Sequence, residues 1–295
     1  MVSSVTLVVP GTFCVWTDKT FLSIPSKRAF VGFPPPLLGV KPLRLPILGR
    51  GADWLALDKP AEVAMREYAW DAGQPNLDTA LNEQLKSGKP ELLRLEAEIF
   101  GSVYYLDPSI SGVGLFAKNR QGLDFLRNQY GSSAMHFRFL FVAPKFLGEL
   151  EEGFEATAPL LPHNTKPKMI PSTAKGKKSL TLFKRIAESA GGWCLWEAKT
   201  HFFRPHQVRA HFALSGASIL GDQVYGGVEA PLLRDFVSKK RGAGSGLNVS
   251  VYDGLALHLE SVDFLEVDDS AVSIHAPLPR TFQVMLKRMD LNLPL

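Results

Sequence analysis

The stretch "YYLDPSISGVG" (104–114) sets one carboxylate, Asp107, between a short apolar run and a glycine-rich one. Asp-Pro-Ser is favoured turn chemistry because proline presets φ, so Asp107 reads either as the acid of an ordinary turn or as a nucleophile held at a strand end. A second group of reactive side chains lies in "KTHFFRPHQVRAHFALSGASILGD" (199–222). Lys199 to Phe203 alternate as a strand would, Pro205 suits a first helical turn and Gly216 suits the stop. That gathers Arg204, His206, Gln207 and Arg209 around a helix N-terminus. Cations there oppose the helix dipole, so two arginines in that turn call for an anion, a protein carboxylate or a ligand phosphate. His201, His206 and His211 do not make a metal site: a spacing of five does not stack side chains on one helical face, and no Glu or Cys completes a zinc set. His206 reads as a hydrogen-bonding residue and His211 as a satisfied helix histidine. There is no Gly-x-Ser-x-Gly elbow, and "SGVG" lacks the Gly-Lys-Ser/Thr of a phosphate-cradling loop.

The elements that must hold these groups follow from periodicity. Residues 1–48 are proline-rich and broken by turns, which predicts an extended or poorly packed N-terminal arm; regular alternation begins near Trp54, and residues 49–295 form the main domain. A strand is expected over Trp54–Asp58, a helix over "NLDTALNEQLKSG" with Asn76 as cap and Gly88 as stop, a strand from Val103 into Asp107, and another over "GVGLFAKN". A helix of about ten residues starts near Gln121, and "HFRFLFVA" is strongly β-like. Residues 149–178 read as loop. Strands recur at "SLTLFKRIAE" and "GWCLWEAKTHFF", a helix follows over Pro205–Leu214, and strands return at "GLALHLESVDFLEV" and around Val272. Many strands with few long helices give a mixed, mainly antiparallel α+β fold, not a doubly wound sheet.

The 295 residues suffice for a substantial core, and a 45% hydrophobic content excludes extended disorder. No run of about 18 uncharged apolar residues predicts a membrane span. The apolar N-terminus has no basic lead-in of the signal-peptide kind, and Cys14 and Cys194 are too few for a disulfide framework, so a cytoplasmic setting is expected. Net charge is only +4. Its distribution is uneven, however: from Ala156 to Ala187 there is no Asp or Glu, while Lys166, Lys168, Lys175, Lys177, Lys178, Lys184 and Arg185 all fall there. Such a basic insert is either solvated surface or a tracker of phosphates.

The ordered set "LDKPAE", "YYLDPSISGVGLFAKN", "HFRFLFVA", "RPHQVRAHFALSGASILGDQVYGG" and "LALHLESVDF" resembles the pseudouridine synthases of the RluA/RsuA type over roughly residues 50–290, without an S4-type RNA-binding module. The resemblance implies that Asp107 is the catalytic carboxylate and Arg209 its ion-pair partner. An arginine needing an anion and an aspartate needing its charge kept would then serve each other. It further implies isomerisation of uridine to pseudouridine in ribosomal or transfer RNA, a target base flipped out of its stack, no metal or organic cofactor, and a monomer. Phe137 takes the place of the family's tyrosine as the wall against the base, Phe139 being the other register, and Tyr105 takes the place of an arginine. Arg204, His206 and Gln207 belong to the substrate loop, the last two ordering it. Lys59, in "DKP", is a scaffold residue or a phosphate contact, and Lys175, Lys177 and Lys178 supply RNA contacts. The alternative is an RNA-binding or assembly protein that kept this fold and lost the reaction.

Overall fold

The computed structural model describes residues 29–145, 153–236 and 247–292; the first 28 residues of the expected arm lie outside it. In chain order the elements are β1 (Phe30–Phe33), β2 (Leu43–Arg50), β3 (Trp54–Lys59), α1 (Leu77–Lys86), α2 (Pro90–Leu93), β4 (Gly101–Ser102), β5 (Ser111–Ala117), α3 (Arg120–Gly131), β6 (His136–Pro144), β7 (Gly153–Ala156), β8 (Leu160–Pro162), β9 (Met169–Pro171), β10 (Thr181–Glu188), β11 (Trp193–Thr200), α4 (Gln207–Leu214), β12 (Leu257–Leu265), β13 (Ala271–His275) and α5 (Arg280–Arg288). The main sheet runs β1-β2-β3-β5-β12-β6-β11-β10-β7, with β13 on β12 and β4 on β5. Its pairings are antiparallel except β5 with β12. The fold is thus mixed α+β with a mainly antiparallel sheet.

Strand alternation sorts the core into two layers. Phe137, Phe139 and Phe141 of β6 point to one face, where Phe203, Phe212 and the aliphatic residues of β3 and β5 close over them. Leu140 and Val142 point to the other, against Phe282, Met285 and Leu286 of α5. Being covered on both sides explains why "HFRFLFVA" is nearly continuous in apolar residues.

Several expectations need correction. Val103–Leu106 is buried but not a ladder strand; after the short β4 it is held by Val103 N–H donating to the Leu115 carbonyl at 3.0 Å. The span 149–178 includes β7 on the edge of the main sheet and a separate β8–β9 hairpin. The later part of the expected 1–48 arm gives β1 and, reaching just past it, β2; β1 pairs with β2 and β2 with β3. Alternation there is interrupted by Pro46 and by a register shift between Ile47 and Gly49, which hides the strand period. Helix α5 has no counterpart in the sequence reading, although Phe282, Met285, Leu286 and Met289 recur at the spacing of one helical face. By contrast, α1 starts as expected, with the Asn76 side chain accepting from Thr79 N–H at 3.0 Å.

Candidate active site

Asp107 opens a hydrogen-bonded turn, Ile110 N–H donating to its carbonyl at 3.0 Å, and the turn leads directly into β5. Asp107 is thus a turn residue, and the turn is pinned from beneath. Lys59, at the end of β3, is fully buried and donates to the carbonyls of Pro60, Val63 and Pro108 at 3.0, 2.7 and 3.0 Å. Burial drives its pKa down to about 7 against the raising effect of the Asp107 charge. The Lys59 side chain thus spends its three N–H groups on backbone carbonyls and has no exposed surface to offer a phosphate. Gly112 brings β5 close to β12: its φ is +129°, and a Cβ there would lie 2.1 Å from the Leu259 carbonyl oxygen.

Facing the turn is the start of α4. Its N-cap, His206, takes a left-handed backbone (φ 57°) and makes no side-chain cap bond. The ring instead puts Nε2 3.6 Å from Asp107 Oδ2 and Nδ1 3.3 Å from the Tyr225 hydroxyl. Burial lowers the pKa of His206, partly opposed by Asp107, which favours the neutral ring. A non-glycine residue at positive φ costs about 1–3 kcal/mol, so surrounding contacts must hold it in place. Helix α4 begins only at Gln207, so Arg204 and Pro205 lie ahead of it.

Arg209 lies in the first turn of α4, and its anion is a pair of carboxylates. Nη1 donates to Asp107 Oδ2 at 3.3 Å, while Nε and Nη2 each reach one oxygen of Asp222 at 2.8 Å. Burial opposes the charge, but the Asp222 hydrogen bonds and the Asp107 charge outweigh it and hold the guanidinium above its ordinary range. Asp222 is itself fixed by Val224 and Tyr225 N–H donating to Oδ1 at 3.1 and 3.2 Å. The sequence reading missed Asp222; the only signal for it was the need of a first-turn arginine for an anion. The fork geometry assigns the two-point partner to Asp222 and leaves one guanidinium N–H group for Asp107.

The other expected site residues differ in what they expose. Gln207 is 1% exposed and donates to the Leu180 carbonyl at 3.0 Å and the Thr181 hydroxyl at 3.1 Å, while its carbonyl oxygen accepts from Arg204 N–H at 3.0 Å. It orders the loop and presents nothing to RNA. Phe137 is 1% exposed and packs edge-on to Tyr104, Tyr130 and Phe203. Phe137 does not border the small hollow beside Asp107, which Phe139, the other register, lines with Phe203, Leu106, Ile110 and His206. Arg204 borders the same hollow, stacked 5.0 Å over Phe202 and donating to the Lys178 carbonyl at 3.3 Å, with its buried Nε lacking a partner among the described residues. Lys175, Lys177 and Lys178 are exposed on the segment that follows the β8–β9 hairpin. Tyr105 is 4% exposed, its hydroxyl bonded to Asp71, its ring 4.4 Å from that of Tyr68. Trp70 continues the row, 5.4 Å from Tyr68 and 4.9 Å from His206. Tyr68 and Trp70 were not singled out in the sequence, since an isolated "YAW" in a loop has no period. The three histidines are dispersed: His201 is exposed beside His136, and His211 donates through Nε2 to the Ala158 carbonyl and accepts from the Thr181 hydroxyl, both at 2.9 Å.

No protein-family model matches the chain. It is 27% identical over 238 residues to "Ribosomal large subunit pseudouridine synthase D" of Xanthomonas campestris, covering 80% of this chain and 66% of that protein. With "Ribosomal large subunit pseudouridine synthase C" of Escherichia coli it shares 28% identity over 239 residues, 80% of this chain and 67% of the relative. The chain thus spans about two thirds of the length of these two relatives. Among solved structures, "Human RNA Pseudouridylate Synthase Domain Containing 4" superposes with a TM-score of 0.64 at 17% identity, covering 84% of this chain and 94% of that one. That likeness is one of fold.

Proposed function

We infer that this chain, a divergent relative of the ribosomal large subunit pseudouridine synthases that shares the pseudouridine synthase fold, is an isomerase converting specific uridines of structured RNA to pseudouridine. The observation that carries the reading is Asp107, 3% exposed at the edge of a hollow and paired with Arg209, which Asp222 holds by two further bonds. Taking two carboxylates and a guanidinium out of water is expensive, and a protein that only binds RNA gains nothing from doing so beside a hollow. This favours catalysis over the retained-fold RNA binder.

In the proposed reaction the N1–C1′ bond of uridine breaks, the base turns, and a C5–C1′ bond forms. The C5 proton is released and N1 takes one up, so atoms and charge balance. Asp107 either attacks C1′ or removes a ribose proton, and Arg209 holds the carboxyl group in place through its hydrogen bond to Oδ2. Phe139 and Phe203 supply the apolar wall of the base site. Neither bears a hydroxyl, so the C5 proton passes to water or to the carboxylate itself. Arg204 and the exposed Lys175, Lys177 and Lys178 are proposed to take flanking phosphates, making the 156–187 segment the main selector of RNA. Tritium release from C5-labelled uridine, in RNA from cells lacking the gene, tests the reading. Release by the wild type and none by Asp107→Asn is expected; no release from either, with RNA binding intact, overturns it.

A further inference from the structure

Beside Asp107 four rings form a continuous row: Tyr105, Tyr68, Trp70 and His206, with neighbouring centroids 4.4, 5.4 and 4.9 Å apart. The two end rings are buried and tied down, Tyr105 through Asp71 and His206 through Tyr225. The two middle rings are half-buried, each with part of its surface open. They sit on a turn whose geometry is already fixed: Asp71 N–H donates to the Tyr68 carbonyl at 2.9 Å, and Gln74 N–H to that of Asp71 at 3.1 Å. The loop carrying the turn is closed at its base by Leu77 N–H donating to the Ala64 carbonyl at 3.0 Å, and is joined to the catalytic turn by Glu62 N–H donating to Pro108 at 2.7 Å. Rings placed in this way lose little freedom when something stacks on them.

The underside of Trp70 packs on Leu160, Met169 and Ala210, and Tyr225 belongs to the same cluster. Leu160 in turn exchanges both backbone hydrogen bonds with Lys177, at 3.0 and 2.9 Å. The exposed lysines and the half-buried rings thus hang from one support. Lys175, Lys177 and Lys178 make no ion pair with any described residue. Cations outside any ion pair alongside aromatic faces are what a single-stranded nucleic acid recognises, phosphate on the one and base on the other. Indole and phenol faces next to a carboxylate that acts on a flipped nucleotide suit the base beside it, left without its stacking partner.

We propose that Tyr68 and Trp70 form a stacking platform for the base flanking the target uridine, and so position the substrate without reading its sequence. This rests on the pseudouridine synthase reading for the identity of the flipped nucleotide. The test uses the full chain and two fluorescent single-stranded oligoribonucleotides, each with one uridine, flanked by adenines in one and by abasic residues in the other. Aromatic stacking on one base corresponds to about 5- to 150-fold in Kd. Wild type should prefer the adenine probe by such a factor. Tyr68→Ala and Trp70→Ala should each reduce that preference and leave binding to the abasic probe unchanged, whereas Tyr68→Phe and Trp70→Phe should keep it. The slope of log Kd against log salt should not move in any of the four, because stacking releases no counterions. A preference that survives both alanine variants, or its absence in wild type, overturns the proposal, as does a loss that phenylalanine fails to restore. Tritium release run in parallel separates the two readings: a stacking preference without release removes the isomerase and leaves the platform, and release without a preference does the reverse.

Discussion

Arg209 gives two of its three polar contacts to Asp222 and one to Asp107, and that division predicts different phenotypes for the two aspartates. Asp107→Asn should abolish tritium release while leaving the fold intact. Asp222→Ala should abolish release as well, by letting Arg209 swing free, and should also destabilise the protein by about 3–5 kcal/mol in urea denaturation, because it strands a buried guanidinium. The lysines separate in the same manner. Lys59→Met leaves three backbone carbonyls without their donor, at about 1–3 kcal/mol for each one that stays unsatisfied, with no change in the salt dependence of RNA binding. Lys177→Ala should leave the urea midpoint unchanged and lower the salt slope by somewhat under one unit. The residue types of the site were legible in the sequence, Asp107 and Arg209 above all. Their partners were not: Lys59 and Lys177 carry the same charge in the sequence, and only burial makes one a scaffold and the other a surface contact.

The turn that carries Asp107 is fixed by how β5 meets β12. Gly112↔Leu259 is the close point of the parallel pair in the main sheet, and the carbonyl of Leu259 occupies the space a side chain would need. Gly112→Ala should therefore cost about 4 kcal/mol or more and misplace Asp107; a variant with wild-type urea midpoint and wild-type release would contradict this. The β8–β9 hairpin shows why one stretch escaped the sequence reading. Its strands are three residues each, too short for a period, and three of the six residues are proline or methionine. What makes it an element is its docking: Leu160 and Met169 pack against Ala210 of α4, and Met169 N–H donates to the hydroxyl of Tyr225, beyond the end of that helix, at 2.8 Å. Helix α1 was legible because its cap, Asn76, is a local signal that acts within a single turn; α3, expected from near Gln121, begins at Arg120 behind a cap, Asn119, that the sequence reading did not use.

Across the whole molecule, the two faces of the sheet bury a histidine at the β5–β12 seam. His258 donates through Nε2 to the Ala276 carbonyl at 3.1 Å and accepts from the Ser111 hydroxyl at 2.9 Å, so it is neutral as folded. Burial pushes its pKa from 6.5 down to about 4. The unfolded chain takes up that proton near pH 6.5 and the folded chain only near 4, so this contribution is complete above pH 6.5 and is lost as pH falls towards 4. Denaturation at pH 5 should show about 2 kcal/mol less stability than at pH 6.5 from this residue, and His258→Gln should flatten that difference. By itself the sequence determined the α+β class, most of the long strands and helices α1 and α3, because periodicity, caps and turn chemistry act between near neighbours along the chain; the Asp107–Arg209 pair came from the family resemblance, not from these local signals. Tertiary structure alone decided that Asp222 holds Arg209, that Phe139 and not Phe137 borders the hollow, that Lys59 lies beneath the turn, and that Tyr68 and Trp70 stand beside Asp107. Each of these depends on which face a side chain turns and on contacts between distant segments, and burial, not residue type, sets the outcome.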